Sequence, residues 1–227
     1  MQKKSTFLLI LIFCLSLILV GCGGDKKSDN SPKQATPTAV TTIKVGHVLA
    51  PDHPYTIALK RFAEIVDKKT AGKLKVNVFH SSQLGNERDM IEALQLGTQQ
   101  MALVSTAPLA GFTKQFLVLD LPFIFNDYKG AYKVLDGEIG QNLLKTLESQ
   151  GIVGLTYWEN GFRHVTNSKR PIQKPEDLAS LKIRLMENPI HMDTFKAMGA
   201  NPLPMAFGEL FTALQQNTLD AHDTPGP

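Results

Sequence analysis

The chain has 227 residues, of which 43% are apolar, and a formal net charge of +3, so it is long enough for one large domain or two small ones. A charge this close to neutral argues against a general nucleic-acid binder. The only cysteines are Cys14 and Cys22, which excludes disulfides, thiol catalysis and cysteine-ligated metals in the chain beyond residue 22.

The first 21 residues have the pattern of a secretory signal peptide. Lys3 and Lys4 precede an apolar run over residues 7–20, and Gly21 stands directly before Cys22. The run is shorter than the roughly 20 residues that a membrane-spanning helix needs. The ending Leu-Val-Gly-Cys resembles a bacterial lipobox, which implies cleavage before Cys22 and attachment of lipid to its thiol. An uncleaved signal anchor is the alternative.

Residues 22–41 are expected to be the lipidated cysteine followed by a disordered linker. The segment 23–40 reads GGDKKSDNSPKQATPTAV, and it contains almost nothing that can be buried. Its 18 residues would span roughly 25 Å as a flexible chain. Because two or more acyl chains hold a protein stably on a bilayer, we expect a lipid-anchored protein on the extracytoplasmic side of a membrane.

From residue 42 onward, two kinds of segment follow each other along the chain. Short segments that are rich in β-branched residues, or that alternate between apolar and polar residues, are separated by segments with helical periodicity. The predicted strands cover residues 43–48, 74–79, 101–104, 152–158, 163–167 and 181–185. The predicted helices cover residues 54–70, 86–96, 138–150, 189–198 and 207–217, and residues 175–177 open one more. This alternation predicts an α/β fold with largely parallel sheets, which bind ligands at the carboxyl ends of their strands.

A series of short motifs resembles one family of proteins. The motifs are 81–85 (SSQLG) followed by Glu87 and Arg88, 160–163 (NGFR), 175–178 (PEDL), 181–184 (LKIR), 197–200 (AMGA), 204–207 (PMAF) and 209–216 (ELFTALQQ). In this order they resemble the solute-receptor subunit of TRAP (tripartite ATP-independent periplasmic) transporters, and the resemblance runs from about residue 43 to the last residue.

The resemblance implies a two-lobed architecture like that of periplasmic binding proteins, with mostly parallel sheets and a hinge. An N-terminal α/β lobe would cover residues 42–158, and residues 159–227 would begin the second lobe. Because family members continue further, this lobe is expected to be incomplete at its C-terminus. The implied function is capture of a small organic anion, usually a carboxylate, and its delivery to a membrane permease. No catalysis, cofactor or metal is implied.

Arg184 is the strongest candidate ligand-binding residue. In the family the arginine of this motif clamps the ligand carboxylate, and a guanidinium offers a planar fork of donors that fits a carboxylate. A surface arginine on an edge strand is the alternative. Arg163 is the second candidate because the similar position in the family faces the cleft, with a salt bridge at the hinge as its alternative.

Five further residues fall where the family lines its cleft. Phe207 matches an aromatic residue of the family's binding site, although a core phenylalanine is the alternative. Thr224 stands where the family usually has an asparagine that contacts the ligand, and this departure puts the identity of the ligand in doubt. His47, Asn86 and Ser105 match positions that line the N-terminal lobe of the cleft.

Two other functional classes are compatible with the sequence. A metal-dependent enzyme could use His191 with Asp193, or His222 with Asp223, but neither pair has a suitably spaced third ligand nearby. A binding protein of an ABC importer or of a sensor system would capture its ligand by the same closure of two lobes. Glycine-rich nucleotide loops and the nucleophile motif of hydrolases are absent from the sequence.

Overall fold

The computed structural model describes residues 39–226. The predicted signal peptide, the predicted lipidation site Cys22 and nearly all of the predicted linker lie outside this range. Among the described residues, no helix has both the length and the apolar character that a membrane span requires.

Two β-sheets organise the described residues. The first contains β1 (Thr41–Gly46), β2 (Leu74–Phe79) and β3 (Met101–Ala102) in the order β2-β1-β3, with all pairs parallel. The second contains β4 (Arg163–Asn167), β5 (Lys182–Leu185), β6 (Asn201–Pro204) and β7 (Ala221–Pro225) in the order β4-β7-β5-β6. Only β4 runs antiparallel to its neighbour, so the prediction of mostly parallel sheets is confirmed.

Helices cover the connections between these strands. They are α1 (Pro54–Lys69), α2 (Glu87–Gln95), α3 (Thr106–Leu109), α4 (Tyr128–Leu135), α5 (Glu138–Lys145), α6 (Pro189–Ala197) and α7 (Phe207–Gln215). Short 3-10 helices cover Lys114–Asp120, Thr146–Gln150 and Pro175–Leu178. The predicted helix over residues 138–150 therefore ends early as an α-helix and continues as a 3-10 turn, which Gly151 terminates with a φ of 73°.

Each sheet has its own apolar core. Val45 of β1 is fully buried and packs in a cluster with Leu59 of α1. Ile183 of β5 is fully buried in a second cluster, which includes Phe195 of α6. The first sheet uses strands before residue 103 and the second uses strands after residue 162. The core of each sheet therefore forms within one part of the chain, residues 39–162 being the first part and residues 163–226 the second part.

A buried polar contact joins the two parts of the chain. Asn188 caps α6 by accepting a hydrogen bond from the backbone N–H of Ile190 at 2.9 Å. Its amide nitrogen donates to the carbonyl of Ala107 at 3.1 Å and to the carboxylate of Asp120 at 2.8 Å. Asp120 also pairs with the His191 ring at 3.1 Å. The start of α6 is thereby held against α3 and the end of the 3-10 helix Lys114–Asp120.

The predicted strand over residues 152–158 is wrong. The segment is irregular, and the side chains of Val153 and Leu155 are 71% and 65% exposed. No strand among the described residues runs beside it, and an extended segment without a neighbour cannot form the backbone ladder of a sheet. The composition of the segment suggested a strand, but a strand also needs a neighbouring strand to pair with, and composition does not show whether one is present.

Candidate ligand-binding site

A cavity lies where the first residues of α2 and α7 approach β5. It is lined by Glu87, Pro108, Arg184, Met186, Glu187, Met205, Ala206 and Phe207. These residues come from both parts of the chain. The two helix ends are also joined directly, because the side-chain oxygen of Asn86 accepts a hydrogen bond from the backbone N–H of Gly208 at 3.2 Å.

Arg184 is one of the residues that line this cavity. It belongs to β5, which has β6 on one side and β7 on the other, and only 3% of its surface is exposed. Its Nε–H donates to the carbonyl oxygen of Met205 at 2.8 Å, which fixes the plane of the guanidinium. The two terminal amino groups have no hydrogen-bond partner among the described residues. This placement does not fit a surface arginine on an edge strand.

Burial governs the electrostatics of Arg184. Loss of water lowers the pKa of its guanidinium, and the negative charges of Asp223, Glu87 and Glu187 oppose this effect. Within residues 39–226 no carboxylate lies close enough to form an ion pair with it. A buried cation with free donors has a strong attraction for an anion that can reach it.

Phe207 forms one wall of the same cavity. It is the first residue of α7, its surface is 40% exposed, and its ring centroid lies 6.0 Å from the guanidinium carbon of Arg184. The exposure does not fit the alternative of a core phenylalanine. An aromatic face at this distance attracts the guanidinium and limits its movement.

Arg163 lies outside the cavity lining and is bound to Asp223. Its Nε–H donates to the Asp223 carboxylate, and a terminal amino group donates to the Asp223 carbonyl at 3.1 Å. The two residues belong to the antiparallel neighbours β4 and β7. Asp223 is 3% exposed and its other carboxylate oxygen has no partner among the described residues. The geometry therefore favours the salt bridge that sequence reasoning kept as the alternative for Arg163.

Asn86 and Ser105 are not among the lining residues, but each adjoins one: Asn86 directly precedes Glu87 in the chain, and Ser105 forms a hydrogen bond with it. The backbone N–H of Asn86 donates to the Asp89 carboxylate at 2.8 Å, which fixes the start of α2. The backbone N–H of Ser105, immediately before α3, donates to the Glu87 carboxylate at 2.6 Å. The Ser105 hydroxyl accepts a hydrogen bond from the Asn160 amide at 3.5 Å. Both predicted residues thus hold the start of α2, where Glu87 lines the cavity.

His47 and Thr224 are not brought into the cavity lining. His47 is 1% exposed, its Nε2 lies 3.2 Å from the Thr56 hydroxyl, and its Nδ1 accepts from the backbone N–H of Leu49 at 3.2 Å. Burial lowers the pKa of the His47 ring, so both nitrogens serve the packing of a neutral side chain. Thr224 is half-buried in β7, opposite His164 of β4.

Glu87 is the residue of the site that sequence reasoning missed. It is 9% exposed, it lines the cavity, and burial raises the pKa of its carboxyl group against the opposing hydrogen bond from Ser105. In the sequence Glu87 reads as an ordinary acidic residue in the first turn of a helix. The sequence signal for Glu87 was the family motif in which it directly precedes Arg88, and the family resemblance gave Glu87 no role.

The residues considered as metal ligands do not converge. His191 pairs with Asp120 rather than with Asp193. Across the described part of the chain, no group of three histidine, cysteine, aspartate or glutamate side chains is arranged to hold a metal ion.

Residues 45–227 match the sequence profile of the DctP family, described as bacterial extracellular solute-binding protein, family 7. The 2,3-diketo-L-gulonate-binding periplasmic protein YiaO of Escherichia coli is 40% identical over 187 residues, which are 82% of this chain and 57% of that protein. The chain thus spans less than two thirds of the length of this relative.

Solved structures give the same result for the fold. A TRAP periplasmic solute-binding protein from Polaromonas, bound to D-erythronate, is 50% identical with a TM-score of 0.79 over 82% of this chain and 61% of that one. One from Sulfurospirillum deleyianum, with bound succinate, is 41% identical with a TM-score of 0.79 over 82% and 60%. The chain therefore belongs to family 7 of the bacterial extracellular solute-binding proteins.

Proposed function

We propose that this chain is the ligand-capturing part of an extracytoplasmic TRAP receptor, and that it binds a small organic anion through a carboxylate on Arg184. The observation that carries the proposal is the state of this side chain. It is buried, its plane is fixed by Met205, and within residues 39–226 its two terminal amino groups have no hydrogen-bond partner beside the cavity. That is the arrangement that a bidentate contact with a carboxylate requires.

The ligands of the relatives support the same chemistry. D-erythronate and succinate, the ligands of the two solved relatives, are both carboxylates. Residues from the two parts of the chain line the cavity together, so closure of these parts would remove water from a bound anion and strengthen the contact. Phe207 would cover one side of the ligand. Asn86 and Ser105 would hold the opposite wall, while Arg163 would act through its ion pair with Asp223.

Delivery to a membrane permease and anchoring by lipid on Cys22 complete the proposal. A tethered receptor stays concentrated beside its permease, and the polar segment after Cys22 sets its reach. An ABC importer or a sensor system is the alternative partner. Genes for a small and a large membrane permease beside this gene would favour the TRAP system, whereas an adjacent transport ATPase gene would contradict it.

Calorimetry on the full chain and its Arg184→Ala variant tests the proposed clamp. Removal of one partner from a buried charged pair typically costs about 2–5 kcal/mol, so the variant should bind erythronate at least about tenfold more weakly. Arg61→Ala is the matched control, because Arg61 is an exposed arginine of α1 whose ion pair, among the described residues, is with Glu64 on the surface. Equal affinity in the wild type and the Arg184 variant would refute the clamp.

A further inference from the structure

The turn between α1 and β2 carries a concentrated positive charge. Residues 67–75, which we call the basic turn, read DKKTAGKLK, and their four lysines and one aspartate give a net charge of +3, equal to that of the whole chain. All four lysines are exposed, and within residues 39–226 none of them forms an ion pair. Such a segment produces a local positive potential that the near-neutral composition of the chain conceals.

The backbone holds the basic turn in one shape. Ala71 and Gly72 both have the left-handed conformation, with φ angles of 50° and 77°, and they reverse the direction of the chain. The backbone N–H of Gly72 donates to the carbonyl of Asp67 at 2.9 Å. The backbone N–H of Leu74 donates to the Thr70 hydroxyl at 3.1 Å. Because these contacts fix the backbone, association of the lysines with a partner does not first have to order a loop.

The predicted linker enters the folded part of the chain beside the basic turn. Thr41 is the first residue of β1, and its backbone N–H donates to the Lys73 carbonyl at 2.9 Å. Thr42, the next residue, lies opposite Lys75 of β2. The 18 residues between Cys22 and Thr41 would span roughly 25 Å as a flexible chain. A lipid on Cys22 would therefore keep the basic turn close to the headgroups of the bilayer.

The cavity is reached from the opposite end of β2. This strand begins at Leu74, inside the basic turn, and ends at Phe79, about 20 Å further along for six extended residues. The segment that follows leads to the cavity walls, since the Ser82 hydroxyl lies 3.3 Å from the position that a Cβ on Gly208 of α7 would occupy. Glu87, a few residues later, lines the cavity itself. A partner on the basic turn would therefore leave the cavity unobstructed.

The chemistry of the basic turn suits a broad anionic surface. All four of its cations are lysines, whose ammonium groups are point charges on flexible stems, whereas planar recognition of a single carboxylate or phosphate generally uses arginine. Each lysine close to a membrane that contains anionic lipid strengthens the association by roughly fivefold. Asp67 is the one opposing charge within the turn.

We propose that the basic turn docks on anionic phospholipid headgroups of the membrane to which Cys22 is anchored. This inference rests on the proposed lipid anchor and extends it. The lipid fixes only the far end of the linker, whereas contact through the basic turn also orients the folded part, with the cavity directed away from the bilayer. An acidic protein is the alternative partner.

Vesicles of two compositions test the docking. The exported, processed protein is reconstituted with phosphatidylcholine alone or with an equal mixture of phosphatidylcholine and anionic phosphatidylglycerol, and mass spectrometry follows the reaction of each lysine with an amine-reactive reagent. The lysines of the basic turn should react at least about fivefold more slowly on the mixed vesicles. Salt at about 1 M should remove this protection, because it screens charges beyond about 3 Å.

Two lysines elsewhere on the surface are matched controls for this protection. Lys133 of α4 and Lys196 of α6 are exposed and lie in the last turn of their helices, as Lys68 and Lys69 do in α1. Their reaction rates should be the same on both kinds of vesicle. Equal protection of these two lysines would refute the proposal, since any part of the surface would then contact the bilayer.

Replacement of the four lysines tests the residues themselves. Partition is measured on full chains that also carry Cys22→Ser, so that no lipid anchor contributes, and the preference is the ratio of partition into mixed and neutral vesicles. The preference should fall at least about twentyfold, the effect of two lysines in contact, in the variant with Lys68→Gln, Lys69→Gln, Lys73→Gln and Lys75→Gln. It should persist in the control variant with Lys114→Gln, Lys129→Gln, Lys133→Gln and Lys196→Gln.

Failure of the anchor and failure of the docking are distinguishable. If the exported wild type does not bind neutral vesicles but the Cys22→Ser chain prefers mixed vesicles, the anchor fails and the lipid-binding role of the basic turn stands. If the Cys22→Ser chain shows no preference, or the variant without the four lysines retains it, the basic turn does not bind lipid. An acidic protein would then be the partner that remains.

Discussion

The side-chain oxygen of Asn86 accepts a hydrogen bond from the backbone N–H of Gly208 at 3.2 Å. Asn86 directly precedes α2 and Gly208 is the second residue of α7, so this contact joins the walls of the cavity at their helix ends. The approach is close because Gly208 has no side chain. A Cβ at that position would lie 2.5 Å from the Asn86 oxygen.

Gly208→Ala should therefore weaken ligand binding. The new methyl group would displace the Asn86 side chain and break its contact, and a lost hydrogen bond of this kind contributes about 1 kcal/mol, which corresponds to roughly a fivefold loss of affinity. Calorimetry with erythronate measures the effect. Gly111→Ala is the control, because the nearest atoms to a Cβ there lie at 3.4 Å.

The double variant Asn86→Ser with Gly208→Ala separates crowding from other causes. Serine retains the ability to cap the helix and is shorter than asparagine. If crowding is the cause, the double variant should bind erythronate more tightly than the sum of the separate effects of Asn86→Ser and Gly208→Ala predicts. Strict additivity would show that the methyl group acts elsewhere.

The ion pair between Arg163 and Asp223 should contribute to stability. Arg163→Met would leave the Asp223 carboxylate buried without its cation, and breaking a buried pair in this way typically lowers the free energy of unfolding by about 3 kcal/mol. Chemical denaturation measures this change. In the double variant Arg163→Met with Asp223→Asn the buried charge is removed, so part of the stability should return.

That double variant also decides whether Arg163 contacts the ligand. If Arg163 acts only through Asp223, the folded double variant loses no charged contact with the ligand. Its affinity for erythronate should then stay within about threefold of the wild type. A larger loss in a stably folded double variant would favour the direct ligand contact that the family resemblance implies.

Glu87 should make stability depend on pH. Because burial raises the pKa of its carboxyl in the folded chain, the folded state binds more protons than the unfolded state between the two pKa values. The stability associated with this group is present below the unfolded pKa and is lost as pH rises through the folded pKa. The nearby charges of Arg184 and Arg163 reduce this loss without reversing it.

Glu87→Gln removes the titrating group and isolates its effect. The melting temperature of the variant should exceed that of the wild type at pH 8, and the difference should shrink toward pH 4. A difference that stays constant over this range would contradict the assignment. If the variant is more stable than the wild type and also binds erythronate more weakly, Glu87 is a residue that serves binding at the expense of stability.

Cys22 is predicted to be the lipid attachment site. Cys22→Ser should abolish incorporation of labelled palmitate and move the protein from the membrane fraction to the soluble extracytoplasmic fraction, because the acyl chains supply the anchoring energy. Cys14→Ser is the matched control, since Cys14 lies within the predicted signal peptide. Membrane retention of Cys22→Ser would favour the uncleaved signal anchor instead.

The elements that sequence reasoning found are those whose pattern is local. The alternation of apolar and polar residues in 74–79 matches β2, because one face of that strand packs on α1 and the pattern follows the burial. The position of Arg184 on a strand was predicted for the same reason, since Ile183 and Leu185 on either side of it are fully buried.

Two strands that it missed, β6 and β7, depend on partners elsewhere in the chain. No strand was predicted over residues 201–204, which contain Pro202 and Pro204, and β6 tolerates these prolines because it lies at the edge of its sheet. In β7 the polar Asp223 concealed a strand, because its burial is supported by Arg163, 60 residues away. Glu87 was missed for the same reason: its burial depends on Ser105 and on the second part of the chain.

The most direct measurement of the central claim is the affinity of Arg184→Lys for erythronate, compared with the wild type and with Arg61→Lys. Lysine keeps the positive charge but loses the planar fork and the Nε–H that donates to Met205. A clamp that depends on this geometry predicts a loss of at least about tenfold, with Arg61→Lys unchanged. Wild-type affinity in Arg184→Lys would contradict the account.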